Sequence, residues 1–326
     1  MILPYYFRLV CLCFATFFVT HALCWLLIRS IAPAAVRIAG TLRPRSSTRL
    51  LFGLRMAPSA VGLFLVIGFC VPSYIWLEPP VQNERVGLAC LLVAVLGAMG
   101  WAISLSRGFV SMVRTARYVR ACGRSAAETS MDCNLPEVFL VTDGAAVMAV
   151  AGVLGPRLVV SESVMNALNR EETEAAFRHE ASHRASRDNL KKLLFLLSPD
   201  VLPFLSGLAV LERGWAKFTE WAADDEAVSG DPKRALSLAS ALVRIAKLGV
   251  RPTPAYLLSS DVDDDRDLET RVERLLREPA YPEKTLQPLA AVARNAALLF
   301  GGMTVTVLLW PESLGSIHRL LEYLVQ

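Results

Sequence analysis

Long apolar runs constrain this chain more than any other feature. Residues 6–28, 57–77, 86–105 and 289–310 are each apolar over about the length that a helix needs to cross a bilayer, roughly 20 residues. The composition agrees, at 54% hydrophobic and only 20% charged, outside the habit of soluble domains. The expectation is a mainly α membrane protein with about four transmembrane helices. The first run is too long for the core of a signal peptide, carries only Arg8 at its start and shows no cleavage site. It reads as a retained helix.

Arginines give these segments an orientation. Arg29, Arg37, Arg43, Arg45, Arg49 and Arg55 lie between the first and second runs, and Arg85 alone lies between the second and third. Arg107, Arg114, Arg117, Arg120 and Arg124 follow the third. Short basic loops stay in the cytoplasm. The N-terminus is then outside, the region 107–287 inside, and the tail after the fourth helix outside. Three parts result: residues 1–106 with three helices and a basic loop, a cytoplasmic domain over 107–287, and residues 288–326 with the fourth helix and a short outer tail. A fifth apolar run, 193–211, holds Pro199, Pro203 and Asp200. Prolines there break a helix, so it reads as a buried or membrane-surface hairpin rather than a span.

The net charge of +4 is mild for 326 residues and points to no nucleic-acid partner. Seven cysteines without a CxxC pair exclude a cysteine zinc knuckle and a disulfide framework.

Within the cytoplasmic region, residues 137–161 read as about three strands, antiparallel given their short connections. A short helix follows over 162–168. Asn169 and Glu172 then form a capping-box pair. No proline or glycine interrupts 171–197, which predicts one continuous helix.

That helix carries the sequence RHEASHRASRD, residues 178–188. Residues four apart share a helix face, so His179 and His183 can present ring nitrogens to one metal ion, with Glu180 beside the open position as general base. Zinc in such a site brings the pKa of water toward ~7. A catalytic zinc takes a third protein ligand. The other histidines, His21 and His318, fall in the first membrane segment and the outer tail, so the third ligand should be a carboxylate. Glu220 in FTEWAADDEAV is the candidate. Asp224, one turn on, could orient a ligand histidine, with Asp225 and Glu226 as neighbouring competitors. Asp188 is five residues past His183 and points off the ligand face of a continuous helix; pairing with a nearby basic residue explains it equally well. DVDDDRD, residues 261–267, lacks the glycine and glutamate of a calcium loop. It reads as a solvated loop at the start of the helix RDLETRVERLL. His21 reads as a packing or near-surface residue.

HEASH followed by Glu220-x-x-Ala-Asp224 resembles the gluzincin-type integral-membrane metallopeptidases. GPRLVVSESVMNALNREETEAAFRHEASHRASRDNL is similar to their strand, short helix and active-site helix, and LETRVERLL to their downstream arginine-containing helix. The layout looks most like the BlaR/MecR antirepressor peptidases, with HtpX-like and CAAX-prenyl peptidases next. The resemblance implies an α+β zincin-type domain, zinc on His179, His183 and Glu220, Glu180 as base, Asp224 in support, and a multi-pass protein of the cytoplasmic membrane. It also implies a protein or peptide substrate, such as a transcriptional repressor. The chain departs from the group at Ala181, and no penicillin-binding domain follows the last apolar run before Gln326. Tyr256 and Arg271 are the candidates for an oxyanion-stabilising donor. The alternatives are a membrane-protein quality-control protease and a non-catalytic scaffold that keeps zinc for folding. The intact Glu180 argues against the scaffold, because structural zinc needs no base.

Overall fold

A computed structural model describes residues 4–77, 86–125, 127–128, 138–141, 147–200, 208–249 and 265–277. The expected fourth membrane helix, Tyr256, His318 and most of the acidic loop lie outside the described residues.

Helix α1 spans Tyr5–Ala39. A second long helix runs over Pro44–Leu77 in three pieces: α2 (Pro44–Leu65), a π-helical turn (Val66–Cys70) and α3 (Val71–Leu77). Helix α4 spans Leu88–Ser125. These three are long and apolar enough to cross a membrane, and they expose large apolar side chains such as Leu23, Leu27, Ile67 and Leu92. Each is longer than its apolar run. The basic stretch expected as a loop is mostly helix, so arginines such as Arg55 sit on α2 itself. Small residues let the helices close up. A Cβ on Gly62 would lie 2.9 Å from the Phe17 ring, and one on Gly97 would lie 2.6 Å from the Phe14 carbonyl oxygen.

The sheet has the order β1-β2-β4-β3, with β1 Ala127–Glu128, β2 Val138–Val141, β3 Met148–Ala151 and β4 Arg157–Ser161. It is not all antiparallel as the sequence predicts: β2 and β4 run parallel, and β1 and β3 are antiparallel to their neighbours. The cause is the tight β3–β4 turn, which uses Gly152 and Gly155 at positive φ. It folds β4 back inside β3, so β4 takes the position beside β2 and β3 becomes the edge.

Both sheet faces are buried, as the alternation of side chains requires. Val138, Met148, Val150, Leu158 and Val160 pack on the helical side with Phe177 and Ala241, while Phe139, Ala149, Ala151 and Val159 pack with Cys122 on α4. The helical side comprises α5 (Glu162–Ala167), α6 (Arg170–Ser186), α7 (Asp188–Leu197), α8 (Ala209–Val228), α9 (Pro232–Lys247) and α10 (Asp265–Leu276). A separate core joins α1 and α2 to α7 and α8 through Trp25, Ile28, Leu51, Phe195, Leu211 and Trp215. The two flanks of the run 193–211 thus pack on the membrane helices; residues 201–207 lie outside the described residues.

The helix predicted as continuous over 171–197 is two helices. Arg187 takes a left-handed conformation (φ 54°, ψ 43°), ending α6 and starting α7. Side chains on both sides of the break explain it. Asp188 turns back to His183, and the Asn189 amide donates to the carbonyls of Val150 (2.9 Å) and Gly152 (3.0 Å) on the edge strand.

Candidate metal centre

Helix α6 is anchored at its start. Asn169 Oδ1 accepts from the Glu172 N–H, and Glu172 Oε2 accepts from the Asn169 N–H, both at 2.9 Å. The other Glu172 oxygen accepts from the Ser240 hydroxyl and pairs with Arg244, both on α9. About two to three turns further along, α6 faces α8 and β3, and there the polar groups gather.

His179 and His183 lie in T-shaped contact, with their Nε2 atoms 3.1 Å apart. Glu220 on α8 reaches both, with Oε2 at 3.3 Å from His179 Nε2 and Oε1 at 3.5 Å from His183 Nε2. The far side of each ring is held by a carboxylate: His179 Nδ1 is 3.0 Å from Asp224 Oδ1, and His183 Nδ1 is 2.9 Å from Asp188 Oδ2. In the neutral form of each ring with its proton on Nδ1, toward the acid, Nε2 offers a lone pair. Two such lone pairs and a carboxylate then face one another in a buried space. Their mutual repulsion is offset by a positive charge between them, either a ring proton shared with Glu220 or a metal ion. Tetrahedral bonds of about 2.0–2.1 Å place ligand atoms about 3.3–3.4 Å apart, close to the 3.1–3.5 Å between these atoms. Among the described residues, His179, His183 and Glu220 are the group that could hold a metal ion.

Electrostatics follows the geometry. Burial works against a charged His183, but Glu220, Asp188 and Glu180 outweigh it and raise its pKa to about 10. Burial likewise opposes ionisation of Glu220, yet Arg271 and the histidines hold its carboxyl well below the usual range. Asp224, fully buried, is depressed to about 2 against the cost of burial, with Arg271 the largest favourable influence.

The site contains more than the sequence suggested. Asp188 does face the histidine, because the break at Arg187 swings it back under His183, and Lys191 holds its other oxygen at 2.8 Å. Arg271 is not placed as an oxyanion donor. Its Nε and Nη2 grip Asp224 at 3.0 and 2.7 Å, and its Nη1 pairs with Glu220 at 2.9 Å. Asp225, the competitor of Asp224, pairs instead with Arg274 on the outer side of α8. Glu226 pairs with Arg45. Glu180 is buried, and its Oε2 accepts the Val150 N–H of the edge strand at 3.1 Å. His21 is not part of this group; it is buried in the membrane bundle and stacks on Phe17.

Two histidines of one helix facing a glutamate of a second, with an acid beside them and a sheet edge alongside, form the layout of a metallopeptidase. Residues 114–250 match the sequence profile of peptidase family M48. That segment, which begins within helix α4, is thus similar to M48 peptidase domains. It is also similar to a protein described as a Protease HtpX homolog from Archaeoglobus fulgidus, at 31% identity over 192 residues. That match covers 57% of this chain and 53% of the relative, so the chain spans about half the length of the curated protein it matches.

Proposed function

We propose that this protein is a membrane-embedded zinc endopeptidase that cuts protein substrates at the cytoplasmic face of its membrane. The convergence of His179, His183 and Glu220 within the segment that matches M48 carries this reading. These three would be the ligands, and bound zinc would supply Lewis acidity toward the scissile carbonyl and water. Glu180 takes the proton of the attacking water and returns it to the departing amine. Asp188 fixes the His183 imidazole by accepting its Nδ1–H, Asp224 stands 3.0 Å from His179 Nδ1 as its charge partner, and Arg271 keeps Glu220 and Asp224 ionised and in place. Strand β3 borders Glu180 at the edge of the sheet. An extended peptide that replaced the bonds of Glu180 and Asn189 to Val150 would pair along this edge and bring its backbone to the base. The arginine alternation of the sequence supports the cytoplasmic orientation.

Regulatory proteolysis is the role we favour, as the BlaR/MecR resemblance implies. Its structural support is a tie between the membrane helices and the active-site helices. Arg55 of α2 is buried and bonds Ser198 and Asp200 at the end of α7, and Glu212 on α8, at 3.0, 3.1 and 2.6 Å. Arg107 of α4 adds a contact of 3.4 Å to Asp200. A shift in the bundle therefore reaches the helix that carries Asp188.

The test compares the detergent-solubilised wild type with Glu180→Gln and Glu220→Ala, measuring bound zinc and cleavage of an unfolded protein such as casein. Glu180→Gln should keep its zinc and lose about 10²–10⁴-fold in rate. Glu220→Ala should lose zinc. A Glu180→Gln protein that cuts as fast as the wild type rules the mechanism out.

A further inference from the structure

Strand β3 ends the sheet beside Glu180, and its outer side is closed at Val150. The Ser161 N–H donates to the Val147 carbonyl at 2.8 Å. Successive residues of an antiparallel strand alternate the direction of their backbone groups. Those of Val147 and Ala149 therefore turn to β4, and those of Met148 and Val150 turn away from it. Both outward groups of Val150 are bonded. Its N–H donates to Glu180 Oε2 at 3.1 Å, and its carbonyl accepts from Asn189 Nδ2 at 2.9 Å. The same nitrogen donates to the Gly152 carbonyl at 3.0 Å. Gly152 has φ 98°, which curls the strand and brings both carbonyls within reach of one amide. The two hydrogens of Nδ2 are thereby both used on the edge. Asn189 is buried, and its Oδ1 has no hydrogen-bond partner among the described residues.

We propose that Asn189 is an autoinhibitory clasp on the substrate edge, opened by an extended, unfolded segment of a protein substrate; this rests on the reading of the site as a peptidase. One residue of an incoming antiparallel strand offers both groups that Val150 needs. Its N–H replaces the Asn189 amide on the Val150 carbonyl, and its carbonyl replaces Glu180 as acceptor of the Val150 N–H. Pairing thus has two effects. It seats the substrate backbone beside the metal ligands, and it releases Glu180 Oε2 from the strand, leaving that oxygen able to take a proton. A folded protein surface has its backbone groups bonded within its own structure and cannot make this exchange. The closed edge therefore selects unfolded chain and keeps the base engaged until such chain arrives. The Asn189 amide, once displaced, brings its Oδ1 as an acceptor for a further substrate N–H.

The test uses the full chain in detergent, loaded with zinc, and fluorescein-labelled reduced casein as the probe. Asn189→Asp keeps the shape of the side chain and suits the first turn of a helix, but its carboxylate has no hydrogen to give the two carbonyls. Asn189→Ala removes the clasp without adding charge. Binding is read by fluorescence anisotropy with Glu180→Gln as the background, so that the probe stays whole. Adding either Asn189 substitution should tighten binding about tenfold, the scale of one or two net hydrogen bonds. With Glu180 intact, KM for casein should fall by a similar factor while kcat and zinc content hold. A lost side chain that matters only to folding would instead lower zinc content or kcat. Equal or weaker casein binding by both Asn189 variants overturns the clasp, whatever the cleavage rate. Tighter binding by the variants together with no Glu180-dependent cleavage in any of the proteins would refute the peptidase reading and leave the clasp standing.

Discussion

Arg271 shows how much of the centre depends on one side chain that touches no proposed reacting atom. Its guanidinium spans Asp224 and Glu220, and both carboxylates are buried on helix α8. Removing it leaves two buried negative charges together, and Glu220 loses the contact that sets its angle toward the histidines. Arg271→Ala should weaken zinc binding by about 10–100-fold, the usual effect of losing a group that orients a ligand. Arg271→Lys should recover only part of it, since a single ammonium cannot grip two carboxylates in a fork. Zinc competition titrations on the detergent-solubilised protein read this directly; equal affinity in wild type and Arg271→Ala would refute it. His179, Glu180 and His183 were legible in the sequence because their spacing alone puts them on one helix, and Glu220 with Asp224 by the same argument on the next. Arg271 was visible only as a residue type. Its partner lies 47 residues away, and no local pattern records a contact of that range.

At the scale of elements, the break between α6 and α7 is the feature the sequence concealed. A left-handed residue at a helix end is usually glycine, and here it is Arg187. The usual signal is therefore missing, and the run reads as one helix with Asp188 facing away from the two histidines. The tertiary bonds of Asp188 and Asn189 outweigh the local cost of about 1–2 kcal/mol for a left-handed non-glycine residue. Arg187→Gly should therefore keep zinc binding and leave the melting temperature equal or higher; a clear loss of stability would mean that the Arg187 side chain matters in itself. The start of α6 makes a pH-dependent prediction. Burial alone would raise the Glu172 pKa, but Ser240, the Asn169 N–H and Arg244 outweigh it and hold the carboxyl below its usual 4.5. A carboxyl with a lowered folded pKa stabilises fully above its unfolded value and loses that contribution as pH falls through the folded one. Glu172→Gln should thus cost about 1 kcal/mol near neutrality. The gap to wild type should close as the pH is taken below 4.5. Thermal melts across that range measure it, and a gap independent of pH would contradict the assignment.

Over the whole molecule, the membrane helices and the peptidase helices share one core. Trp215 and Leu211 of α8 and Phe195 of α7 are buried against Trp25, Ile28 and Leu51, and Arg55 joins the same elements by charge. The approach is close at Gly214, where an added Cβ would lie 3.2 Å from both Leu51 and Val36. Each large side chain uncovered by removing α1 and α2 forfeits about 1.5–3 kcal/mol. Several of them together approach the whole stability of a typical domain, about 5–15 kcal/mol. The composition pointed to membrane helices, and the motif pointed to a candidate metal site. Their physical dependence was not legible, because the apolar faces of α7 and α8 look the same whether they cover a soluble core or a transmembrane one. A chain beginning at residue 107 should accordingly aggregate and bind zinc poorly. Supplying residues 1–106 as a separate polypeptide in the same membrane should restore both solubility in detergent and zinc content. Size-exclusion chromatography with metal analysis distinguishes the outcomes. A monomeric, zinc-loaded fragment that lacks the first 106 residues would show that the peptidase helices stand without their membrane partners.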